Sequence, residues 1–308
     1  MFNFAPVIPA RSDLDWCWYL RRHGRAGDMF ERALHDIGVM DPAGWAPWRR
    51  SLLTPTGAPV EVLFVAGQPD FALTTEVVDP AQDAADRLET VCRVIETLDG
   101  GLIDQSLLDV VGAAQGSGKL QYGARLGLTV NSSRFTCALF AELPENGADV
   151  ARLLYRKTAL AELVDGRPIM LKIDADEGMT TLSFPAQDID LDGLNQAAGI
   201  HADAFSCPER WSQPSLISVA IDRDGALVSV GQTFRASDLF ETDLKAGRYL
   251  RDAEGFDGTA YRAMVDHLPP TAGGVMAHNT ISLTAARGVK ARMQVSVAAP
   301  WGCMVDDM

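Results

Sequence analysis

The sequence predicts an α+β fold built from five antiparallel hairpins, with one or two helices between successive pairs. Three observations carry this. Turn chemistry recurs near residues 68, 132, 176, 223 and 287, each time between two β-rich runs. The stretches between hairpins carry apolar residues at helical spacing, as in Leu88, Val91, Cys92, Ile95 and Leu98. The last run alternates cleanly: Lys290, Arg292, Gln294 and Ser296 share one face, and Ala291, Met293, Val295 and Val297 the other.

In chain order, a helix-like N-terminal segment over 13–39, with Ser12 as its cap, precedes a Pro/Trp-rich link over 42–50. The first hairpin joins 60–65 to 71–78 and is followed by helices over 80–98 and 103–114. The second joins 120–130 to 134–143, with a helix over 148–164. The third joins 169–173 to 179–184, with helical stretches over 191–204. The fourth joins 216–221 to 226–234. Ser237 is then read as the cap of a helix to about 250, and another helix spans 259–268. The fifth hairpin joins 279–284 to 289–298. Ten antiparallel strands with helices between pairs either close into one barrel coated by helices or form a half-exposed sheet whose polar face meets water.

With 308 residues, 47% hydrophobic, the chain can bury a large core. A net charge of −14 argues against a nucleic-acid partner. No apolar run is long enough to span a membrane, and no leader pattern opens the chain. Five scattered cysteines (Cys17, Cys92, Cys137, Cys207 and Cys303) without a Cys-x-x-Cys pair suggest thiols in a reducing compartment, hence the cytoplasm. Phosphate-loop, dinucleotide and His-Glu-x-x-His patterns are absent. Asp83-Ala-Ala-Asp86 reads as a solvated helix face, and the run Asp188 to Asp192 lacks the spacing of a calcium loop.

One residue stands out. Glu61 is the second residue of the first β-run, directly after the Gly57-Ala-Pro59 turn. A carboxylate there faces either water or a cavity in which a proton is taken.

Four stretches carry a family resemblance: Gly57-Ala-Pro-Val-Glu61, Leu120-Gln-Tyr-Gly-Ala-Arg-Leu-Gly127, Phe140-Ala-Glu-Leu-Pro144, and Ile173 through Phe184. In order and spacing they resemble the aromatic prenyltransferase barrels, above all the bacterial relatives of the dimethylallyl-tryptophan synthases. The resemblance spans 45–300 and implies a single domain over 1–308, with 1–44 as an N-terminal helical segment. It implies a ten-stranded antiparallel β-barrel with a polar lumen, five ααββ-type repeats, and commonly a monomer. It also implies transfer of a prenyl group from an allylic diphosphate to an electron-rich aromatic ring (indole, phenol or an aromatic peptide side chain), without magnesium or another cofactor. Glu61 matches the glutamate that takes the ring proton, and a carboxylate in an apolar chamber suits that task.

The sequence departs from the family at the diphosphate site. Positions that carry Arg, Lys and Tyr in the family hold Ala72, Ala138, Phe140, Met179 and Ser183 here. Burying a diphosphate without several cations is costly. Strand parity offers Gln121, Arg125, Arg134, Lys172, His278, Lys290 and Arg292 as replacements, with Phe140, Met179, Ser183 and Gln294 lining the lumen. The alternative is a barrel of the same fold that lacks the diphosphate site and cyclises, isomerises or binds a preformed hydrophobic substrate.

Overall fold

The structure, a computed structural model, describes residues 51–298 except for 69–70, 100–102, 131–134, 176–177, 206–210, 212, 254–255, 257–258 and 267–274. The N-terminal helix expected over 13–39 therefore lies outside the described residues.

Ten strands close into one barrel: β1 (Val60–Val65), β2 (Phe71–Thr75), β3 (Ala124–Val130), β4 (Phe135–Glu142), β5 (Met170–Asp174), β6 (Thr180–Pro185), β7 (Leu216–Ile221), β8 (Leu227–Arg235), β9 (His278–Ala286) and β10 (Val289–Ala298). Every strand is antiparallel to both neighbours, and β1 pairs with β10 to complete the ring. Closure removes both sheet edges, so no row of backbone donors is left open. The helices between hairpins are α1 (Arg87–Asp99), α2 (Gln105–Gln115), α3 (Ala148–Ala151), α4 (Leu160–Leu163), α5 (Leu191–Ala198), α6 (Ala236–Leu239), α7 (Asp243–Ala253) and α8 (Thr259–Asp266).

Strand alternation divides the sheet into two faces. Val60, Val62, Leu73, Leu126, Leu128, Leu139, Leu171, Leu182, Val219, Val230, Ile281, Val295 and Val297 are buried and belong to one apolar core with the helices. α1 docks on β3 and β4, with Val91 and Ile95 fully buried on its predicted face. Each such aliphatic side chain contributes about 1.5–3 kcal/mol by leaving water. The alternate residues face the barrel interior.

Several boundaries differ from the sequence reading, each for a local reason. β2 ends at Thr75, because Glu76 turns to meet Ser51, Arg87 and Arg125. β3 starts at Ala124, not at Leu120. Ahead of it the Glu142 carboxylate accepts the backbone N–H groups of Gln121, Tyr122 and Gly123. Gly123 has φ +66°, and a Cβ there would lie 1.9 Å from the carbonyl oxygen of Ala84. The helix expected over 148–164 breaks, since Thr158 bonds Tyr155 O and then accepts Leu160 N at the start of α4. Gly199, at φ +67°, ends α5, and a separate 3-10 turn over Ala202–Ala204 completes the helical stretches expected over 191–204. Ser237 is not a cap: it lies inside the one-turn α6, and Thr242 accepts Lys245 N at the start of α7.

Candidate active site

Glu61 lies on the inward face of β1, opposite Thr74 on β2 and Ala298 on β10. It is 9% exposed. Asn279 Nδ2 donates to its Oε1 at 2.5 Å and also to Leu53 O at 3.3 Å. Burial drives the Glu61 carboxyl above the ordinary carboxylate range. Hydrogen bonds from Ser296 and Asn279 and the charge of Arg125 oppose the rise without cancelling it. Glu61 is thus a buried acid whose direct hydrogen-bond partners are neutral donors.

The predicted cation sites separate into different fates. Arg125 does face inward, at 8% exposure, but its Nε donates to Glu76 Oε1 at 3.1 Å. Glu76 also takes Arg87 Nη1 at 3.1 Å and the Ser51 hydroxyl at 2.7 Å. The Arg125 guanidinium stacks 3.9 Å from the centre of the Tyr122 ring, and its Nη2 has no hydrogen-bond partner. Lys172 sits opposite Phe140 on the inward face, with Nζ 2.7 Å from Asp174 Oδ1 and 3.0 Å from Oδ2. Each cation therefore arrives with an internal carboxylate.

Lys290 and Arg292 are exposed at the hairpin-turn end of β10, whereas Glu61 meets the opposite end of that strand. Gln121 is corrected: it is an exposed loop residue ahead of β3, and its backbone, not its side chain, is engaged. His278 is also corrected. A register shift between Val295 and Val297 places it opposite outward-facing Val297, buried against the helices. The bulge reverses strand parity, so the next residue, Asn279, points inward instead. Arg134 lies outside the described residues. The predicted replacements thus do not gather into one anion site among the described residues.

Of the expected lining residues, Phe140 stands on β4, Ser183 on β6 and Gln294 on β10, with Met179 just ahead of β6. Phe140 lies against Gly127, where a Cβ would approach its ring to 2.6 Å. The inward wall is otherwise rich in paired hydroxyls: Ser183 with Ser218 at 3.0 Å, Thr233 with Ser282 at 2.9 Å, and Thr280 with Ser296 at 2.7 Å. Gln294 stands opposite Ser282 and Val65. Sequence reasoning did not single out Asn279, Glu76 or Asp174. Glu76 follows a strand and Asp174 borders a turn, positions that ordinarily signal solvent. Among the described residues, no group of three His, Cys, Asp or Glu side chains is arranged to hold a metal ion, and no helix is long and apolar enough to cross a membrane.

The sequence matches no family model and no curated protein. Solved structures do match. The 5-dimethylallyl tryptophan synthase from Streptomyces coelicolor, in complex with DMASPP and Trp, is similar at TM-score 0.69 and 15% identity, over 93% of this chain and 94% of that one. The prenyltransferase PriB, in a ternary complex with L-tryptophan and dimethylallyl thiolodiphosphate, gives 0.68 and 17%, over 94% and 96%. The 6-dimethylallyltryptophan synthase from Micromonospora olivasterospora gives 0.62 and 14%, over 94% and 95%. Strand number, antiparallel closure and a helical coat agree with these neighbours, and the chain has the aromatic prenyltransferase barrel fold.

Proposed function

We propose that this chain is a transferase of the aromatic prenyltransferase kind, with Glu61 as the base. The observation that carries the reading is a buried carboxylate with a raised pKa on the inward wall of this barrel. In the step proposed, the allylic C–O bond breaks and diphosphate leaves. A carbon or nitrogen of an electron-rich aromatic ring then bonds to the allylic carbon, and Glu61 takes the proton that the ring releases. The acceptor is an indole, a phenol or an aromatic peptide side chain. The enzyme works as a cytoplasmic monomer in specialised metabolism, without magnesium, and binds neither nucleic acid nor membrane.

A second reading has its own support. Arg125 and Lys172 are paired with Glu76 and Asp174, and Ala72, Ala138 and Gly127 leave the inward wall small and neutral. Such a lumen suits an uncharged hydrophobic substrate that is cyclised or isomerised through Glu61.

Titration calorimetry with dimethylallyl and geranyl thiolodiphosphates, without magnesium and at two salt concentrations, separates the two readings. Micromolar binding that weakens with salt supports the transferase. Absence of binding removes the prenyl donor and leaves the second reading.

A further inference from the structure

The strongest unassigned feature outside the lumen is a buried polar chain in the helical coat. Asp243, the first residue of α7, accepts the backbone N–H of Ala277 at 3.0 Å and that of His278 at 2.9 Å. Its Oδ1 also lies 2.6 Å from His278 Nδ1. The other ring nitrogen of His278 lies 2.9 Å from the Tyr261 hydroxyl, on α8. His278 is 1% exposed, and Tyr261 is 2% exposed. An ionised Asp243 only accepts hydrogen bonds, so His278 Nδ1 carries a proton toward it.

Three contacts from one carboxylate thus fix residues 277 and 278, the two positions directly before Asn279. The β-bulge between β9 and β10 lies at the same place. It turns His278 outward and Asn279 inward, where Asn279 donates to Glu61. Ala277 O in turn accepts Ala298 N at 2.7 Å, and Ala298 is the β10 partner of Glu61. The chain of contacts from the helical coat to the lumen carboxylate is continuous.

We propose that Asp243, with His278, is a positioning group for Glu61. By clamping the bulge from outside the barrel, it aims the Asn279 amide at the Glu61 carboxylate. The proposal rests on the reading of Glu61 as the base, but its test does not need the reaction. A loosely held amide would share its time between Glu61, Leu53 O and solvent. A clamped one stabilises the carboxylate in one orientation. The register change that aims Asn279 is backbone geometry, so the group that holds that backbone governs the carboxylate without touching it.

The test is a titration of Glu61 followed by its side-chain carboxyl carbon resonance, assigned by its loss in E61Q. Asn279→Ala removes a donor that favours the carboxylate, so the midpoint moves up. Asp243→Asn keeps the shape but turns an amide N–H toward donors, so the midpoint moves up by a smaller amount. In the Asn279→Ala background, Asp243→Asn moves it no further, because the path runs through Asn279. Tyr261→Phe, a milder change on the same chain, gives a smaller shift of the same sign that also vanishes without Asn279. It decides the matter if Asp243→Asn does not fold.

An unmoved Glu61 in these outer variants, or equal shifts with and without Asn279, overturns the proposal. A fully active E61Q overturns the base assignment and leaves the positioning intact. An inactive E61Q with no coupling removes the positioning alone.

Discussion

Asn279 and Glu61 are 218 residues apart in sequence, and the Asn279 amide donates to the Glu61 carboxylate at 2.5 Å across the barrel seam. The contact exists because β1 pairs with β10, which joins the first and last strands. A buried acid gains no cation from this partner, only a neutral donor. Its pKa stays above the ordinary value, which suits a proton acceptor that must release the proton again.

Replacing Glu61 by Gln is expected to lower turnover about 10²- to 10⁴-fold, the usual worth of a positioned base, with substrate binding retained. The same variant is expected to be more stable than the native chain at neutral pH. The folded-state pKa of Glu61 is raised, so its favourable contribution is complete below the ordinary value of 4.5 and is lost as pH rises through the folded value. Thermal melts of E61Q and the native chain should therefore coincide at acid pH and separate above it. A constant gap across pH would show that Glu61 does not titrate in a dry site.

Glu76 is expected to be the more sensitive residue for folding. It is 1% exposed and takes Arg87, Arg125 and the Ser51 hydroxyl together. Glu76→Gln leaves two buried guanidinium groups without a counter-charge, a loss of about 3–5 kcal/mol when one partner of a buried pair is removed. Urea unfolding of the variant measures this. A loss below about 1 kcal/mol would mean that water reaches the cluster.

The Asp243 clamp carries a pH signature of its own. Burial acts to raise its pKa, but hydrogen bonds from His278 and from the backbone of 277 and 278 outweigh it, and the carboxyl ends below its ordinary 3.8. A depressed carboxylate stabilises the fold fully above that value, and the contribution disappears as pH falls through the folded value. The native chain should exceed D243N in stability by about 2 kcal/mol at pH near 6, as loss of charge-assisted hydrogen bonds implies. The difference should close in strong acid, as read from denaturant midpoints across the range.

How much of this was legible in the sequence depends on the range of the interaction. The hairpins, the apolar face of α1 and the outward face of β10 were legible because period and turn chemistry are local. Glu61 was legible as an acid out of place in a β-run. The partner of each cation was not. Glu76 and Asp174 sit at strand ends, where a carboxylate normally means solvent, and only the pairing of β2 with β3 brings Glu76 against Arg125. His278 was misassigned for a different reason. Parity counting assumes an unbroken ladder, and one extra residue near Val297 reverses it.

The last prediction concerns the Lys172–Asp174 pair. Lys172 is held by both oxygens of Asp174, and the two side chains are 33% and 19% exposed. The carboxylate cancels the charge that an anionic substrate would meet on this part of the wall. Asp174→Asn removes that negative charge and leaves the lysine in place. Affinity for dimethylallyl thiolodiphosphate or inorganic pyrophosphate should then rise about tenfold, or 1.4 kcal/mol, and fall again with salt. Calorimetry on the native and variant chains measures it. A gain in the variant means that Lys172 faces the path of the diphosphate and that Asp174 tunes its grip. No binding by either chain means that the lumen rejects anions even with a cation released, and Glu61 then acts on an uncharged substrate.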